Sequence, residues 1–357
     1  MPDKKKGFRL QTELVKIDRE QMSHHIMKRA GEILQNGGLV AFPTETVYGL
    51  GADALNEEAA QKIYAAKGRP SDNPLIVHIA DMEALGRITE SIPKEAKALA
   101  EAFWPGPLTM IFRKKECVPS GTTGGLSTVA VRMPSDEIAR ELIRQGGGYI
   151  AAPSANVSGR PSPTTAQHVY EDMKGRIPMI LDGGPVRIGL ESTIVDLTEG
   201  HPVILRPGYI TLSMIRSITG EAEVDRGLIA DNSTVRPKAP GMKYRHYAPR
   251  AELWIVEGPM DRVVSYINEK CSAFPGTGII CTEETREYYP DGVVKSIGSR
   301  KDERSIAGHL FAVLREFDGE HVERIYSESF DTQGLGQAIM NRLLKAAGHQ
   351  KIDVSEK

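Results

Sequence analysis

A chain of 357 residues, 40% of them hydrophobic and 26% charged, is long enough for two domains that each bury a core. A net charge of −2 provides no general field for nucleic acid or an anionic membrane, so any bound polyanion must meet a local cationic cluster. Three scattered cysteines, Cys117, Cys271 and Cys281, exclude a disulfide framework or zinc site and fit a reducing cytoplasm.

Lys4-Lys5-Lys6 is followed by Gly7-Phe8-Arg9-Leu10-Gln11, too polar for the apolar core of a signal peptide. No apolar run approaches the roughly 20 residues that span a bilayer, which leaves a cytoplasmic, membrane-free protein as the expectation. Between Arg19 and Gln35, Met22, Ile26, Met27, Ala30, Ile33 and Leu34 share one helical face, and Gly37-Gly38 ends it. Leu39–Phe42 reads as a strand that leaves through the polar turn Pro43-Thr44-Glu45-Thr46. The following Gly49-x-Gly51-x-x-Ala54 pattern invites a dinucleotide reading. A Rossmann glycine loop must open its helix directly, however, and Asp53-Ala54-Leu55 intervene before the cap at Asn56, so tight backbone packing is the better account.

Asn56 caps a helix with Ala59, Ala60, Ile63 and Tyr64 on its apolar face, and Gly68 is placed to close it in the left-handed conformation. Lys67 and Arg69 then flank the helix end, and Asn73-Pro74 turns the chain into strand Leu75–Ile79 with His78. Helices follow over Glu83–Leu85 and Glu95–Phe103, and strands over Leu108–Arg113 and Thr128–Arg132, with a Gly/Thr-rich loop at Val118–Ser127 between them. Ser135 is the expected cap of a helix through Gln145. Tyr149–Ala152 is a strand that feeds Pro153-Ser154-Ala155-Asn156, and Ser162-Pro163-Thr164-Thr165 opens a helix through Met173. Strands at Met179–Asp182, Ser192–Leu197 and Val203–Arg206 precede a helix at Thr211–Thr219.

The fold class expected for this half is a twisted, largely mixed or antiparallel α/β sheet. From about Asp225 to Pro249 apolar periodicity gives way to Pro, Gly, Asn and Lys. Beyond it strands Glu252–Val256, Gly278–Cys281, Val293–Ile297 and Arg324–Ser327 alternate with helices Met260–Lys270, Arg304–Phe317 and Gln337–Ala347, as in a small parallel, Rossmann-like sheet. The boundaries expected are 15–222 for the first domain, 223–250 for a linker or lid and 251–350 for the second.

There is no Gly-x-x-x-x-Gly-Lys-Ser/Thr loop and no His-Glu-x-x-His spacing, and Ser154 is outside a Gly-x-Ser-x-Gly elbow. What remains is a set of fixed donors: Lys67, Arg69, Asn73, Thr128, Arg132, Ser154, Asn156, Ser162 and Arg206. Donors without a nucleophile or an acid–base pair act by positioning and by stabilising negative charge, as in phosphoryl or nucleotidyl transfer. Singly, each has a plainer account: Lys67 as a complement to a helix dipole, His78 as a half-buried histidine, Asn156 as an Asx-turn residue, Thr128 as a cross-strand hydrogen bonder and Arg206 as a strand-end arginine.

Phe42-Pro43-Thr44-Glu45-Thr46-Val47-Tyr48-Gly49-Leu50, Lys67-x-Arg69 and Ser154-x-Asn156 together resemble the YrdC family of threonylcarbamoyl-AMP synthases over about residues 20 to 215. Pro240-Gly241-Met242-Lys243-Tyr244-Arg245-His246-Tyr247-Ala248-Pro249 and the domain beyond it resemble the long, two-domain form. The resemblance implies condensation of L-threonine, bicarbonate or carbon dioxide and ATP to threonylcarbamoyl-AMP, pyrophosphate and water, for tRNA modification. It assigns Lys67 and Arg69 to the triphosphate and the carboxylated substrate, as catalytic residues. Asn73, Thr128, Ser154, Ser162 and Arg206 are assigned to ATP, and Asn156 is expected beside them as a further donor. The Pro/Gly-hinged linker reads as a lid that lays Tyr244 and Tyr247 across the nucleotide and excludes water. Threonine is assigned Thr44, Thr46, His78, Arg132, Ala152 through its backbone, and Ser192.

Arg132 is the natural partner of a carboxylate, because its planar fork matches two oxygens. Mg²⁺ is expected to arrive with ATP, and the labile product to pass to a tRNA threonylcarbamoyl transferase complex. The alternative from a different class is an RNA-binding module without catalysis, and the cation–aromatic run Lys243–Tyr247 could itself touch single-stranded nucleic acid. Carbamoyl-adenylate chemistry of hydrogenase maturation is a further relative, but the acylphosphatase and zinc-finger segments of those proteins have no counterpart here. Gly334 and Gly336 could mark a ligand site in the second domain or simply a tight strand-to-helix turn.

Overall fold

The short apolar runs assemble into two sheets in the computed structural model, which describes residues 10–225 and 246–355. The strands of the first half are β1 (Glu13–Lys16), β2 (Val40–Phe42), β3 (Gly49–Asp53), β4 (Ile76–His78), β5 (Leu108–Arg113), β6 (Thr128–Arg132), β7 (Ile150–Ala152), β8 (Met179–Asp182), β9 (Thr193–Asp196), β10 (Val203–Arg206) and β11 (Glu223–Val224). Among the described residues they form one sheet in the order β1-β8-β2-β3-β7-β4-β6-β5-β9-β10-β11. Pairing is mixed. β4 runs parallel to β6 and antiparallel to β7, with His78 opposite Arg132 on one side and Ile150 on the other.

The second half contributes β12 (Glu252–Glu257), β13 (Gly278–Cys281), β14 (Val293–Ser296), β15 (Arg324–Glu328) and β16 (Lys351–Asp353). All their pairings are parallel, in the order β14-β13-β15-β12-β16. This agrees with the expected parallel α/β class, although β15 is inserted between β13 and β12, where a Rossmann sheet would keep the first two strands adjacent. At the carboxyl ends of β13 and β15 the buried Glu328 accepts from Tyr289 Oη at 2.9 Å and from Arg300 Nη2 at 2.7 Å. Arg300 also donates to the Ser329 carbonyl at 3.0 Å and stacks over Phe330.

Several expectations need correction. The Gly49–Asp53 stretch is itself a strand, and its glycines admit close neighbours: a Cβ on Gly51 would lie 2.8 Å from Ile150 and 2.9 Å from the Phe42 ring. The cap of helix Glu137–Gln145 is Asp136, not Ser135, because its carboxylate receives the N–H groups of Ile138 and Ala139. A single helical turn, Ser120–Thr123, interrupts the Gly/Thr-rich loop. The outer strands β1, β11 and β16 extend the sheets past residues 15, 222 and 350. Gly334 and Gly336 open helix Gly334–Ala346 three residues before Gln337, and a Cβ on Gly336 would fall 2.3 Å from the Asp331 carbonyl oxygen, so this is a tight turn. Tyr244 and residues 226–245 of the expected linker lie outside the described residues.

The two halves share packing. Val47 and Leu190 of the first join Tyr247, Leu253, Phe311 and Leu335 of the second in one apolar cluster. Gly189 sits where helix Glu303–Glu316 passes at Gly308, and a Cβ there would meet Gly308 Cα and the Ala307 carbonyl oxygen at 2.6 Å. Two buried arginines cross the boundary: Arg315 reaches Asp172, and Arg342 reaches Glu191.

Candidate active site

Helix Glu57–Lys67 delivers the first cations. Asn56 Oδ1 accepts from Glu58 and Ala59 at 3.0 and 3.1 Å, and Gly68, with φ 62°, closes the last turn. Lys67 is thereby driven inward, 1% exposed. Its Nζ donates to the carbonyls of Ser154 and Asn156, the latter at 2.5 Å, and to Asn156 Oδ1 at 3.5 Å. Burial, reinforced by neighbouring Arg69, pulls its pKa well below the usual lysine value. Arg69 Nη2 donates to the Pro74 carbonyl at 3.1 Å, and its Nε and Nη2 both reach the Asn73 carbonyl at 3.3 Å. Burial lowers its pKa to about 10, which keeps it cationic at neutral pH.

The loop after β7 completes this wall. Ala155 N–H donates to the Tyr48 carbonyl at 2.8 Å, which fastens the loop to the turn before β3. Ser154 Oγ donates to Asn156 Oδ1 at 2.6 Å, while Asn156 Nδ2 holds the Val157 and Arg160 carbonyls at 2.9 Å. Asn156 therefore shapes the loop.

Arg132, at the end of β6, forms the opposite wall. Its Nη2 donates to Glu45 Oε1 at 2.7 Å, and Glu45 Oε2 accepts from the Ser135 N–H at 3.2 Å. The buried Arg132 Nε has no protein partner. Arg132 also lines the hollow, and its guanidinium has the right sign and shape for a carboxylate. His78 stands beside it, Nδ1 3.1 Å from the Ile76 carbonyl. Burial first and Arg132 second depress its pKa to about 3, so the ring is neutral. Thr44 Oγ1 donates to the Val47 carbonyl at 2.7 Å and lies 2.9 Å from Thr46 Oγ1, which stiffens the turn below.

The third wall comes from β9 and β10. Arg206 Nη2 donates to the Ser192 carbonyl at 2.9 Å and to Ser192 Oγ at 3.1 Å, and Thr109 Oγ1 lies 2.7 Å from that hydroxyl. Burial lowers the Arg206 pKa to about 10. Glu191, next to Ser192, accepts from Ser162 Oγ at 2.5 Å and from Arg342 Nε at 2.9 Å. Burial alone would raise its pKa, but Arg342, Arg206 and the Ser162 hydroxyl hold it at about 2. Tyr247 closes the hollow with φ 65°, its ring 5.0 Å from that of Phe311. Burial, then the charge of Glu191, raises its pKa to about 12. Ala248 N–H anchors this segment on the Gly159 carbonyl at 2.9 Å.

One hollow thus gathers Thr44, Lys67, Arg69, His78, Arg132, Ala152, Ser154, Asn156, Ser192, Arg206 and Tyr247 from the expected residues. The others stand apart from its lining. Thr46 is buried behind Thr44, Asn73 holds Arg69 through its carbonyl, Ser162 is fully buried on Glu191, and Thr128 is half-buried at the far end of β6 from Arg132. Sequence reasoning missed Glu191 and His246 in the lining and Glu45 behind Arg132. Only the neighbourhood of Thr44 and Ser192 could have hinted at the two carboxylates. Lys67, Arg69, Arg132 and Arg206 set four basic side chains against Glu191 as the acidic one in the lining.

Such a hollow is built to hold anionic groups side by side. The comparisons with known proteins carry the assignment further. A family model described as "Telomere recombination" matches residues 32–208, and one described as "Threonylcarbamoyl-AMP synthase, C-terminal domain" matches residues 210–348. The threonylcarbamoyl-AMP synthase of Pyrococcus abyssi is 50% identical over 94% of this chain and 98% of its own length. That of Bacillus subtilis is 50% identical over 91% and 93%, respectively. The crystal structure of P. abyssi Sua5 complexed with L-threonine superposes with a TM-score of 0.90 at 48% identity, covering 96% of this chain and 99% of that one. The chain belongs to the threonylcarbamoyl-AMP synthase family, in its two-domain form.

Proposed function

We infer that the hollow condenses L-threonine, bicarbonate and ATP to threonylcarbamoyl-AMP, pyrophosphate and water. The threonine amine is first carboxylated, with loss of water from bicarbonate. A carbamate oxygen then attacks the α-phosphorus of ATP, and pyrophosphate leaves. Every reacting end is anionic, which is the property the four basic side chains match. Carbamate and mixed anhydride both decompose in water, so the buried Tyr247 at the rim serves to exclude solvent.

The observation that carries this reading is the convergence of Lys67, Arg69, Arg132 and Arg206 on one hollow. Arg132 receives the threonine carboxylate, with Thr44, His78, the Ala152 backbone and Ser192 around the rest of the amino acid and Thr46 supporting Thr44 from behind. Lys67 and Arg69 face the triphosphate and the carboxylated substrate. Ser154, Asn156 and Arg206 line the nucleotide side, with Asn73, Thr128 and Ser162 supporting it and Tyr247 covering it. Among the described residues no three His, Cys, Asp or Glu side chains converge, so Mg²⁺ would be held by the phosphates of ATP and would neutralise their charge. The product then passes to a tRNA threonylcarbamoyl transferase complex.

Pyrophosphate release by the whole chain is the direct test. It is expected only when ATP, threonine and bicarbonate are all present. Release without threonine, or ATP binding with no release under any combination, would overturn the reading, and the second outcome would favour a binding module.

A further inference from the structure

The second domain has a physical claim on the nucleotide subsite. Glu191 lines the hollow and is buried, and a carboxylate there repels a triphosphate unless a cation compensates it. Arg206 lies nearby and shares in that compensation, with its hydrogen bonds on the Ser192 carbonyl and hydroxyl. The ion-pair partner of Glu191 is Arg342, which projects from helix Gly334–Ala346 with no solvent exposure of its side chain.

The geometry of that guanidinium is specific. Nε donates to Glu191 Oε2 at 2.9 Å, and Nη1 donates to the Pro207 carbonyl at 2.8 Å. Glu191 precedes Ser192, and Pro207 follows Arg206. One side chain therefore grips the residue before Ser192 and the residue after Arg206, the two groups whose mutual hydrogen bonds form this wall. The other oxygen of Glu191 fixes the Ser162 hydroxyl at 2.5 Å. Arg315 does comparable work on the loop that joins Ser154 to Ser162: Nη2 donates to the Pro161 carbonyl at 2.6 Å and to Asp172 at 2.9 Å, and Asp172 accepts from the Val157 N–H at 3.1 Å.

We propose that Arg342 is a positioning residue for ATP, acting across the domain boundary through Glu191 and Pro207. The inference rests on the reading above for the identity of the nucleotide, but it is judged by equilibrium binding of ATP, without threonine or turnover. A wild-type chain that binds ATP and releases no pyrophosphate would fault that reading and leave this one standing.

Arg342→Met in the full chain removes the ion-pair partner of Glu191 and leaves the carboxylate with the weaker compensation of Arg206, and ATP affinity is expected to fall about tenfold or more. The KM for threonine should change several-fold less than ATP affinity, because Arg132 and His78 stand on a different wall and Ser192 is the threonine contact that adjoins Glu191. The double variant Glu191→Gln/Arg342→Met removes the stranded charge and should regain at least about threefold of the lost ATP affinity. A general loosening of the interface would weaken both substrates together and would not be relieved by Glu191→Gln. ATP affinity unchanged in Arg342→Met, or no recovery in the double variant, overturns the proposal. Should Arg342→Met fail to fold, the same comparison passes to Arg342→Gln. That variant must bind ATP more weakly than wild type and be improved by Glu191→Gln, and otherwise the proposal falls.

Discussion

Arg69 and Arg132 show how a single guanidinium can be read from its hydrogen bonds. Arg69 is anchored by the Asn73 and Pro74 carbonyls, which hold it without neutralising it. Arg69→Ala is expected to cost about 2–4 kcal/mol of transition-state stabilisation, as for the loss of a preorganised donor, and steady-state pyrophosphate release measures it. Arg132→Lys keeps the charge but loses the fork and the bond to Glu45, so the threonine KM should rise about tenfold or more while ATP affinity stays near wild type. His78 adds a pH dependence. Its folded pKa of about 3 lies below the ordinary 6.5, so between those values the unfolded chain binds the extra proton. Stability should therefore fall as pH drops from about 6.5 toward 3, and denaturant titrations of His78→Asn should show a shallower slope over that window.

The helix Glu57–Lys67 is the element on which the cation pair depends, and both of its ends were legible in the sequence. Asn56 caps it and Gly68 closes it, at the positions the residue types dictate. Asn56→Ala should lower stability by about 1 kcal/mol in chemical denaturation. Strands β5, β6, β8, β10 and β13 were legible to the residue, because each is a short apolar run between strong turn signals. β3 was hidden by its glycines, which read as a loop until the Phe42 and Ile150 side chains that need the space are seen. β1 was hidden because its pattern Glu-Leu-Val-Lys is half polar, as suits an outer strand, and only its pairing with β8 defines it. Asp136 displaced Ser135 as a cap since either residue type serves, and it is the Asp136 carboxylate that receives the Ile138 and Ala139 N–H groups. The site followed the same rule. Cations in short motifs were visible, whereas Glu191 and Arg342 lie 151 residues apart and nothing local announces their pairing.

At the scale of the whole molecule, the boundary between the halves is tight enough to be tested by one methyl group. Gly189, with φ 83°, has Gly308 Cα and the Ala307 carbonyl oxygen where a Cβ would go. Gly189→Ala should destabilise the chain by about 1–3 kcal/mol through overpacking between backbones, read as a lower midpoint in thermal or denaturant melts. A chain cut after Thr219 would lose Arg315 and Arg342 together and leave Asp172 and Glu191 buried without those partners. The expected result is a folded fragment with weakened ATP binding and greater leakage to free AMP, measured by separating the reaction products.

The carboxyl edge of the five-stranded sheet gives this arrangement a further meaning. After β13 the chain moves outward to β14, and after β15 it moves the other way to β16, so the gap between these two neighbours is where an open parallel sheet ordinarily receives a small molecule. Here Glu328, Tyr289 and Arg300 occupy it with bonds to one another. The socket comes with its own plug, while Arg315 and Arg342 tie the module to the neighbour it leans on.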